Sequence, residues 1–326
     1  MTSGVSSGMS DEPSADAPLF SVVICTYNRT DALAGAIRSV LDQSFEDFEL
    51  VVVDDGSTDD TRAVVTGTED GRVRYVHRSN GGLSAARNTG ARAARGRVLM
   101  FLDDDDRFMG TLLAELATIS GGDDRVVVCW GAEVVDERGN LIETMLPRPL
   151  GAAFAGYRGL FNAGTFALSR ELYLEVGGFE EELRTSHQTE FALRLLPVCR
   201  SSGIRVATID EALTLIVERD PGNRSRNDPD RLLRATLLIL QRHEEQLALS
   251  PQVLSDYLAT AGVAAGRGGE YGQARRLLVR AARHATTPSK RWRNLARAGV
   301  ATAPPVARRV WPRDLGASKG PAETGS

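Results

Sequence analysis

"FSVVICTYNRTDALAGAIRSVLDQSFEDFELVVVDDGST" (residues 20–58) consists of two short apolar runs joined by a segment with a different spacing. The runs at 20–26 and 48–55 are rich in Val and Ile, a composition typical of strands that are buried on both faces. The segment at 31–44 repeats its apolar residues at the period of an α-helix. A strand, a helix and a strand of these lengths predict an α/β fold built on a parallel sheet.

The same alternation continues to residue 130, with three more apolar runs that predict strands and three more segments with helical spacing. The runs are 72–77, 97–103 and 125–130, and the helical segments are 58–67, 82–94 and 111–120. We therefore expect a largely parallel central sheet with helices on both faces. Because ligands of such sheets bind beyond the carboxyl ends of the strands, the residues that follow each strand should carry the chemistry.

The composition is that of an ordinary globular protein, since 42% of the 326 residues are hydrophobic and 25% are charged. Cys25, Cys129 and Cys199 lie far apart in apolar stretches, which predicts buried free thiols and a reducing compartment, the cytoplasm. Residues 1–17 are rich in Ser, Gly and Asp and predict a disordered tail rather than a signal peptide. No run of about 18 apolar residues occurs, so no membrane span is predicted.

Beyond residue 130 the pattern changes. It predicts a hairpin at 131–146, a strand at 161–169, a helix from about 188 to 201, two closing strands within 204–219, and helices from 228 to about 310. We therefore divide the chain into four parts. They are a tail (1–17), an α/β domain (18–225), a basic helical region (226–313) and a second disordered tail (314–326).

Polar motifs follow the second and third predicted strands. VVVDDGSTDDT (51–61) supplies carboxylates and a glycine turn, and NGGLSAARNTG (80–90) supplies glycines at a helix start. Asp-Gly-Ser-Thr is also ordinary turn and N-cap chemistry, and Gly-Gly is common in loops. The functional interpretation is that the carboxylates accept hydrogen bonds from a nucleobase or ribose, while backbone amides at the helix start approach an anion.

FLDDDD (101–106) is the stronger signal, because a hydrophobic strand delivers four carboxylates to one place. Such crowding raises the electrostatic free energy unless a cation is present. Strand alternation puts Asp103 and Asp105 on one face and Asp104 and Asp106 on the other. Oxygen ligands of this kind suit Mg²⁺ or Mn²⁺, and few are needed by a metal that also holds a diphosphate. The alternative is a solvated acidic loop.

These stretches, in this order, resemble the family 2 glycosyltransferases, which have the GT-A fold. The resemblance rests on CTYNR (25–29), VVVDDGSTDDT (51–61), GGLSAARNTG (81–90) and FLDDDD (101–106), and it covers residues 19 to about 220. It implies a Rossmann-like GT-A domain, here followed by a helical extension. It also implies a nucleotide-sugar donor, usually a UDP-sugar, a divalent metal (Mn²⁺ or Mg²⁺), and inverting transfer to a glycan, lipid-linked or other acceptor.

The resemblance assigns nucleotide-binding roles position by position. Thr26 and Tyr27 correspond to residues that flank the nucleobase, with Arg29 nearby. Asp55 corresponds to the carboxylate that binds the base or the ribose, with Asp54 beside it. The loop and helix start near the nucleotide correspond to Gly82, Arg87 and Asn88.

The acidic motif corresponds to the metal-binding DxD sequence of the family. Asp103 and Asp105 are the pair that would hold the metal and the diphosphate. Asp104, between them, is counted with the donor-binding residues, and Asp106 would orient its neighbours or the sugar. In the family, the metal offsets the charge that develops on the leaving diphosphate while the acceptor oxygen attacks from the opposite face of the sugar.

The chain departs from the family where the catalytic base is expected. Family members generally carry a Glu-Asp pair downstream of a GGF turn, at the start of a helix that ends in LRL. The turn is present as GGFEEEL (177–183) and the helix as EFALRL (190–195). His187 and Gln188, however, stand at the position of the Glu-Asp pair.

Four interpretations of this departure are open. His187 is the base, since imidazole titrates near neutrality. Alternatively, Glu190 or another acid of the run 180–182 is the base, whereas the amide of Gln188 is a poor proton acceptor. In the third interpretation the acceptor is a phosphate that is already anionic and needs no base. In the fourth the protein binds a nucleotide-sugar without turning it over, or needs a partner.

The helical region is strongly basic, since residues 267–313 contain eleven Arg and one Lys but a single acid, Glu270. The functional interpretation is docking on an anionic membrane surface, at the inner face of the cell membrane, where lipid-linked acceptors lie. The alternative without a binding function is a small helical subdomain with a solvated basic face. Nucleic acid is not an expected partner, because the region shows no RNA-binding or helix-turn-helix pattern. Three further arginines either close over the diphosphate or belong to a linker: Arg219, Arg224 and Arg226.

Other classes of protein fit the sequence less well. A Rossmann oxidoreductase is disfavoured because no G-x-G-x-x-G motif follows the first strand. A nucleotidyltransferase would be expected to show a glycine-rich phosphate loop where CTYNRT (25–30) stands. The remaining alternative to an inverting glycosyltransferase is a nucleotide-sugar-binding protein of the same fold with weak or no turnover.

Overall fold

A nine-stranded mixed sheet lies at the centre of the structure, a computed structural model that describes residues 17–121, 125–218, 228–303, 305–306 and 309. The strands are β1 (Phe20–Thr26), β2 (Phe48–Asp54), β3 (Val73–His77), β4 (Val98–Asp103), β5 (Arg107–Phe108), β6 (Val127–Asp136), β7 (Leu141–Met145), β8 (Arg148–Pro149), β9 (Arg158–Gly159), β10 (Phe166–Ser169) and β11 (Val206–Glu218). β8 and β9 pair with each other outside this sheet.

The order of the strands in the sheet is β3-β2-β1-β4-β10-β6-β11-β5, and β7 pairs with β6. β1 pairs in parallel with β2 and β4, and β2 pairs in parallel with β3, as the alternation of strands and helices predicts. β10 is antiparallel to both β4 and β6, and β11 runs parallel to β6. The first four strands therefore end at one edge of the sheet, which is where the polar motifs of the sequence follow them.

Helices pack on both faces of the sheet and continue beyond it. They are α1 (Thr30–Leu41), α2 (Thr61–Thr66), α3 (Leu83–Ala93), α4 (Leu112–Ser120), α5 (Arg170–Glu175), α6 (His187–Ser201), α7 (Pro229–Ala248), α8 (Pro251–Gly268), α9 (Tyr271–His284) and α10 (Pro288–Val300). Successive side chains of β1 point to opposite faces. Val22 and Ile24 pack with α1, α2 and α4, whereas Val23 and Cys25 pack with α3, α5 and α6. The predicted α/β class with a helical extension is confirmed.

The helical extension shares its core with the α/β part of the chain. Ile239, Leu247 and Leu254 of the extension lie in the same buried cluster as Phe191 and Leu195 of α6. The sequence pattern of each helix does not show which other elements the helix packs against. The sequence therefore does not predict this shared core. Within the described ranges, no helix is both long enough and apolar enough to cross a membrane.

The structure also decides several local predictions. Cys25, Cys129 and Cys199 are free and buried as predicted, and burial raises the pKa of each thiol. The predicted strand at 161–169 is wrong in extent, because its first part is a turn in which Thr165 Oγ1 donates to the carbonyl oxygen of Leu160 at 3.0 Å. The predicted pair of closing strands is instead the single strand β11, which shifts register against β6 after position 208. Several sequence-based expectations fall outside the described residues: the tails at 1–16 and 314–326, and Arg219, Arg224 and Arg226.

Candidate active site

Asp55 fixes the glycine loop that precedes α3. Its carboxylate accepts hydrogen bonds from the backbone N of Gly81 at 3.1 Å and of Gly82 at 2.7 Å. Arg78 Nη1 donates a further bond to it at 2.8 Å. Gly82, the N-cap of α3, has a φ of +89°, a conformation that glycine adopts without strain. The start of α3 is therefore held beside the end of β2.

The loops after β1 and β2 are tied to each other by short polar contacts. Asn28 accepts a hydrogen bond at Oδ1 from the backbone N of Thr58 (2.8 Å), and its own N donates to Ser57 Oγ (3.0 Å). Asp54 accepts from the backbone N of Ser57 (2.7 Å) and from Tyr75 Oη (2.6 Å). Although burial opposes the effect, these bonds lower the pKa of Asp54, so that its carboxylate is charged. Asp54 therefore holds the loop after β2 in its conformation through these hydrogen bonds.

Thr26 and Tyr27 lie at the end of β1, beside this loop. The backbone N of Asp55 donates to the carbonyl oxygen of Thr26 at 3.0 Å. Thr26 is buried, and its hydroxyl lies close enough to the Asp104 carboxyl group to oppose the increase that burial causes in the pKa of that group. Tyr27 is 48% exposed. An exposed aromatic ring at this position is a group that a bound ligand can contact.

The four aspartates after β4 divide between the interior and the surface. Asp104 and Asp106 are buried, whereas the side chains of Asp103 and Asp105 are 36% and 20% exposed. Strand alternation predicts these two pairs. Arg29 Nη1 lies 2.6 Å from Asp105 Oδ2 and 3.2 Å from Asp104 Oδ1. Arg29 therefore joins the loop after β1 to the acidic loop.

The acidic loop carries more negative charge than its surroundings balance. Burial raises the pKa of Asp104 to about 6, although the charge of Arg29 lowers it. Burial, followed by the charges of Asp103 and Asp105, raises the pKa of Asp106. Both shifts show that the charged forms of these carboxyl groups are destabilised in the loop. A cation bound nearby would reverse part of that effect.

Asp103 and Asp105 fit a magnesium or manganese ion that also takes ligands from a diphosphate. Mg²⁺ usually keeps only one or two protein carboxylates and completes its octahedral shell with substrate phosphates and water. Each of the two carboxylates is partly exposed and uses one oxygen for an arginine, so that its other oxygen can serve as a ligand. In the described residues no group of three or more His, Cys, Asp or Glu side chains forms a metal site by itself. The pair therefore suits a cation that arrives with a substrate.

Arg87 connects the acidic loop to the start of α6. It is only 1% exposed, although its guanidinium is charged. Nη2 donates to Asp103 Oδ1 at 2.5 Å, and Nη1 donates to His187 Nε2 at 2.6 Å. The guanidinium also lies 5.5 Å from the centroid of the Phe179 ring. The planar fork of donors is thereby held in one orientation.

His187 acts as a neutral hydrogen-bond acceptor in this arrangement. Because Arg87 can only donate, Nε2 of His187 presents its lone pair to it, and the proton of the neutral ring is on Nδ1. Burial, followed by the charge of Arg87, lowers the pKa of His187 to about 3. Nδ1 is buried and makes no hydrogen bond to any described residue. The ring therefore has no free lone pair with which to accept a proton.

Glu190, one turn further along α6, is bound to other side chains. Its carboxylate accepts from Arg194 Nε at 2.8 Å and Nη2 at 2.7 Å, and His243 Nε2 of α7 lies 3.1 Å from Oε1. Although burial opposes the effect, the hydrogen bonds from His243 and Arg194 lower the pKa of Glu190 to about 2. Glu190 is thus a charged partner in the packing of α6 against α7. Gln188, between His187 and Glu190, is partly exposed.

Asn88 faces the glycine turn before α6 rather than the ends of the strands. Its Nδ2 donates to the carbonyl oxygen of Phe179 at 2.8 Å, and its Oδ1 accepts from Phe179 N at 2.8 Å and from Tyr173 Oη at 2.6 Å. A Cβ added to Gly178 would lie 2.6 Å from Asn88 Oδ1, and the φ of Gly178 is +66°. Asn88 therefore supports the turn that leads to His187.

The sequence did not identify the residues that support these groups. Arg78 lies close to the NGG motif in sequence, which is a signal that could have suggested its contact with the loop. Tyr75 is a strand residue, and its alternation shows the face it occupies but not its bond to Asp54. His243 is 53 positions from Glu190, in a different part of the chain. No spacing rule connects His243 with the helix that it contacts.

Known protein families provide an independent comparison with this geometry. Residues 21–177, which contain all the loops that follow β1, β2 and β4, match the family model described as "Glycosyl transferase family 2". This part of the chain, slightly less than half of its length, matches glycosyl transferase family 2. The resemblance carried by the four sequence motifs is thereby confirmed.

Curated relatives of this chain have glycosyltransferase names. GalNAc(5)-diNAcBac-PP-undecaprenol beta-1,3-glucosyltransferase of Campylobacter jejuni is 34% identical over 128 residues, which is 38% of this chain and 41% of that protein. An uncharacterized glycosyltransferase of Rickettsia felis is 29% identical over 192 residues, which is 56% of this chain and 32% of that protein. The matched parts span less than half the length of both relatives.

Solved structures support the fold of this chain. The crystal structure of S. aureus TarS 1-349 in complex with UDP-GlcNAc matches with a TM-score of 0.61 and 20% identity, over 88% of each chain. The complex of the same fragment with UDP matches with a TM-score of 0.58. At this level of identity the match concerns the fold. The GT-A fold predicted from the sequence is confirmed.

Proposed function

We propose that this chain is a family 2 glycosyltransferase that moves a sugar from a nucleoside-diphosphate donor to a glycan, lipid-linked or other acceptor, with inversion at the anomeric carbon. The observation that carries the proposal is the set of groups at the ends of the four parallel strands β1 to β4. An exposed tyrosine follows β1, a glycine loop at a helix start follows β3 and is bound by Asp55 after β2, and a partly exposed carboxylate pair lies at the end of β4. They suit, in that order, a nucleobase, a phosphate-bearing ligand and a metal-bound diphosphate.

A UDP-sugar is the first donor to test. TarS, which shares the fold, is described in complexes with UDP-GlcNAc and with UDP. In this chain Thr26 and Tyr27 would flank the base. Asp55 would act on the donor mainly through the loop of Gly82, because its oxygens already accept hydrogen bonds from that loop.

A divalent cation, Mn²⁺ or Mg²⁺, would be held by Asp103 and Asp105 together with the diphosphate of the donor. When bound, it would offset the charge that develops on the leaving diphosphate. Arg29 and Arg87 each donate to one of these carboxylates and so orient the pair. Asp106 holds the loop from beneath, since its Oδ1 accepts from the backbone N of Val217 at 3.1 Å.

The forms of this reaction differ in what removes the proton of the acceptor. The acceptor oxygen bonds to the anomeric carbon, the bond from that carbon to the diphosphate oxygen breaks, and a hydroxyl acceptor must also lose a proton. His187 uses Nε2 for Arg87, and Glu190 is held by Arg194 and His243. These contacts favour an anionic acceptor such as a phosphate, which has no proton to lose, over base catalysis by either residue.

The donor half of the proposal is tested by binding. A ligand that binds only the folded protein raises its melting temperature. We expect one class among UDP-, GDP- and dTDP-sugars to raise the melting temperature more with Mn²⁺ than without it, and an Asp103→Asn, Asp105→Asn variant to lose the metal-dependent part. If no nucleotide-sugar stabilises the protein with or without metal, the donor half is wrong.

The acceptor half is tested by measuring nucleoside diphosphate release with phosphate and hydroxyl acceptors. We expect release with a sugar phosphate or lipid phosphate acceptor and little with neutral sugars. Gln188→Asp restores an acid at the family position and should raise transfer to hydroxyl acceptors specifically. A loss of about 10²-fold or more on hydroxyl acceptors in His187→Ala or Glu190→Gln, with donor binding intact, would instead identify that residue as the base.

A second function is favoured by the same contacts of His187 and Glu190 with other side chains. If no residue can take a proton and no anionic acceptor is used, the protein binds a nucleotide-sugar without turning it over. Titration calorimetry would then show donor binding, while no diphosphate release occurs with any donor and acceptor of the panel. Release with any single pair excludes this alternative.

The same proposal places the protein at the inner face of the membrane, where lipid-linked acceptors lie. Exposed apolar side chains on the basic extension support it: Trp292, Leu295 and Val306. Basic residues next to such side chains are typical of peripheral membrane binding. Sedimentation with anionic vesicles at low salt tests it, and a protein that stays entirely in the supernatant contradicts it.

A further inference from the structure

A cavity of about 380 Å³ lies in the helical extension, between α7, α8 and α10. Three arginines line it: Arg267 at the end of α8, and Arg293 and Arg297 on α10. Arg293 and Arg297 are one helical turn apart, so they lie on the same side of α10. The cavity has the size of a small-molecule site, and positive charge dominates its walls.

No described residue balances the charges of these arginines. None of the three forms an ion pair or a side-chain hydrogen bond with any residue in the described ranges. Burial, followed by the charges of Arg293 and Arg267, lowers the pKa of Arg297. The cavity also contains the carboxylate of Asp256, but Lys290 Nζ lies 3.0 and 3.1 Å from its two oxygens. The acid is therefore already matched, and the three guanidinium groups repel one another.

Asn294 is an independent sign that the cavity takes a ligand. Its side chain lines the cavity, yet the residue is only 3% exposed. No described residue makes a hydrogen bond with its amide. The amide atoms are not fully enclosed, so they reach the open space of the cavity, where a ligand can contact them. An amide offers two N–H donors and one acceptor, so a ligand with several oxygens would satisfy it.

We propose that this cavity is a binding site for a phosphate-bearing group, held by the three arginines and by Asn294. Guanidinium groups donate paired hydrogen bonds that match phosphate oxygens, and an anion here would end their mutual repulsion. The volume admits more than one phosphate group, such as a pyrophosphate or a phosphorylated headgroup. The site belongs to the extension, and it stands whether or not the α/β domain transfers sugar.

Pyrophosphate binding to the full chain provides the first test. The measurement is titration calorimetry at constant ionic strength, with chloride as the reference anion, on the wild type and on the double variant Arg293→Gln, Arg297→Gln. We expect the cavity variant to bind pyrophosphate at least tenfold more weakly, or to lose one of two binding events if the donor site also binds it. Arg275→Gln, Arg276→Gln is the matched control, because these exposed arginines of α9 carry the same charge and do not line the cavity. Equal pyrophosphate binding by the cavity variant and the control overturns the proposal.

The melting temperature of the protein without a bound anion shows whether the cavity variant, Arg293→Gln, Arg297→Gln, is correctly folded. Because the cavity arginines repel one another, the cavity variant should melt at the same temperature as the wild type or higher when no anion is present. If the double variant does not fold, Arg297→Lys keeps the charge and removes the paired donors, and it should still weaken pyrophosphate binding. Unchanged binding in Arg297→Lys and in an Asn294→Leu variant contradicts the proposal.

A second experiment, with lipid vesicles, identifies the source of the phosphate. Vesicles of phosphatidylcholine with phosphatidylglycerol present lipid phosphates, and pure phosphatidylcholine is the control. If the source is a headgroup, the wild type and the Arg275→Gln, Arg276→Gln control sediment with the anionic vesicles, the cavity variant does not, and pyrophosphate competes. If only soluble pyrophosphate distinguishes the variants, the source is a soluble phosphate. If neither ligand distinguishes the cavity variant from the control, the site does not exist.

Discussion

Arg87 is a buried cation whose two polar partners come from distant parts of the chain. Asp103 is 16 positions away and His187 is 100 positions away. The resemblance predicts a Glu-Asp pair at positions 187 and 188, where this chain has the neutral residues His187 and Gln188. Relative to that expectation, the start of α6 carries two fewer negative charges. A phosphate acceptor, which brings its own charge, would meet less repulsion.

The first prediction concerns Arg87→Met, which keeps the unbranched apolar stem of the side chain but removes the guanidinium group and both of its hydrogen bonds. The free energy of unfolding should fall by about 1–3 kcal/mol, because Nε2 of His187 is left buried without a donor while Asp103 can still be hydrated. Donor binding should also weaken, since Asp103 loses the group that orients it. Urea unfolding and calorimetric titration with a UDP-sugar measure the two effects.

The control for this substitution is Arg92→Met on the same helix. Arg92 is exposed, and its change should alter the free energy of unfolding by no more than about 0.5 kcal/mol. Equal effects of the two substitutions would mean that the contacts of Arg87 with Asp103 and His187 contribute nothing to stability.

The second prediction concerns pH. The pKa of His187 is lowered from 6.5 to about 3, so the unfolded chain binds a proton there that the folded chain does not bind. The stability that His187 contributes is present above pH 6.5 and is lost as the pH falls toward 3. Urea unfolding at a series of pH values should show wild-type stability falling relative to His187→Gln across that window. Parallel curves for the two proteins would show that His187 is charged in the folded state.

The sequence predicted which residues gather at the site better than it predicted their partners. The motifs identify the ends of β1, β2 and β4 because strand and turn signals are local. Strand alternation separates Asp103 and Asp105 from Asp104 and Asp106, but it does not show which pair is buried, because β4 ends at Asp103. It could not show that Asp55 binds the glycine loop or that Asn88 turns toward Phe179, because those bonds depend on how separate elements are placed in space.

At the scale of elements, the contact between α6 and α7 ties the helix that carries His187 to the extension. Glu190 of α6 bonds to Arg194 and lies 3.1 Å from His243 of α7. The backbone of α7 leaves the helical conformation at His243, where φ is −128° and ψ is 16°. The extension therefore supports the start of α6 through a specific polar contact as well as through apolar packing.

The third prediction compares two substitutions in this contact. Glu190→Gln removes a buried charge from beside Arg194 and His243, and should lower the free energy of unfolding by about 1–3 kcal/mol. Glu182→Gln changes an exposed carboxylate 3.6 Å from Arg242, and should alter it by no more than about 0.5 kcal/mol. Because the pKa of Glu190 is lowered from 4.5 to about 2, the difference should be constant above pH 4.5 and shrink as the pH falls toward 2.

Urea unfolding from pH 7 downward measures both variants against the wild type. A Glu190→Gln protein as stable as the wild type at pH 7 would show that the buried ion pair adds nothing to stability. A difference that persists unchanged below the folded pKa would show that the carboxylate acts through packing rather than through its charge.

The sequence predicts an element well where the element's own residues determine its structure. It predicts an element poorly where contacts with neighbouring elements determine the structure. The four parallel strands have strong apolar runs, and their extents are close to those predicted. The stretch 161–169 looks like a strand but keeps only β10, because Gly164 takes a φ of +71° within a turn. The sequence pattern predicts two strands in place of β11, because the polar residues near Asp210 interrupt it. Its partner β6 keeps the two halves in one strand across the register shift.

At the scale of the whole molecule, the chain combines a basic extension with an α/β domain through one hydrophobic cluster. Leu240 of α7 and Leu278 of α9 belong to the cluster that also contains Phe101 and Phe191. The domain boundary at 225 follows a change of pattern along the sequence, and it remains a prediction. Apolar residues that join one core on both sides of a boundary favour a single cooperative unit over two independent ones.

The fourth prediction follows from that shared core. Scanning calorimetry of the full chain should show a single unfolding transition, despite the change of composition near residue 226. Leu278→Ala, in the extension, creates a cavity and should lower the free energy of unfolding by about 2–5 kcal/mol. Leu116→Ala, in the cluster on the opposite face of the sheet, is its counterpart in the α/β domain. If the chain unfolds as one unit, both substitutions shift the same transition, because neither part stays folded without the other. If the extension is an independent domain, a second transition appears and Leu278→Ala moves that transition alone, which would restore the division of the chain at residue 225.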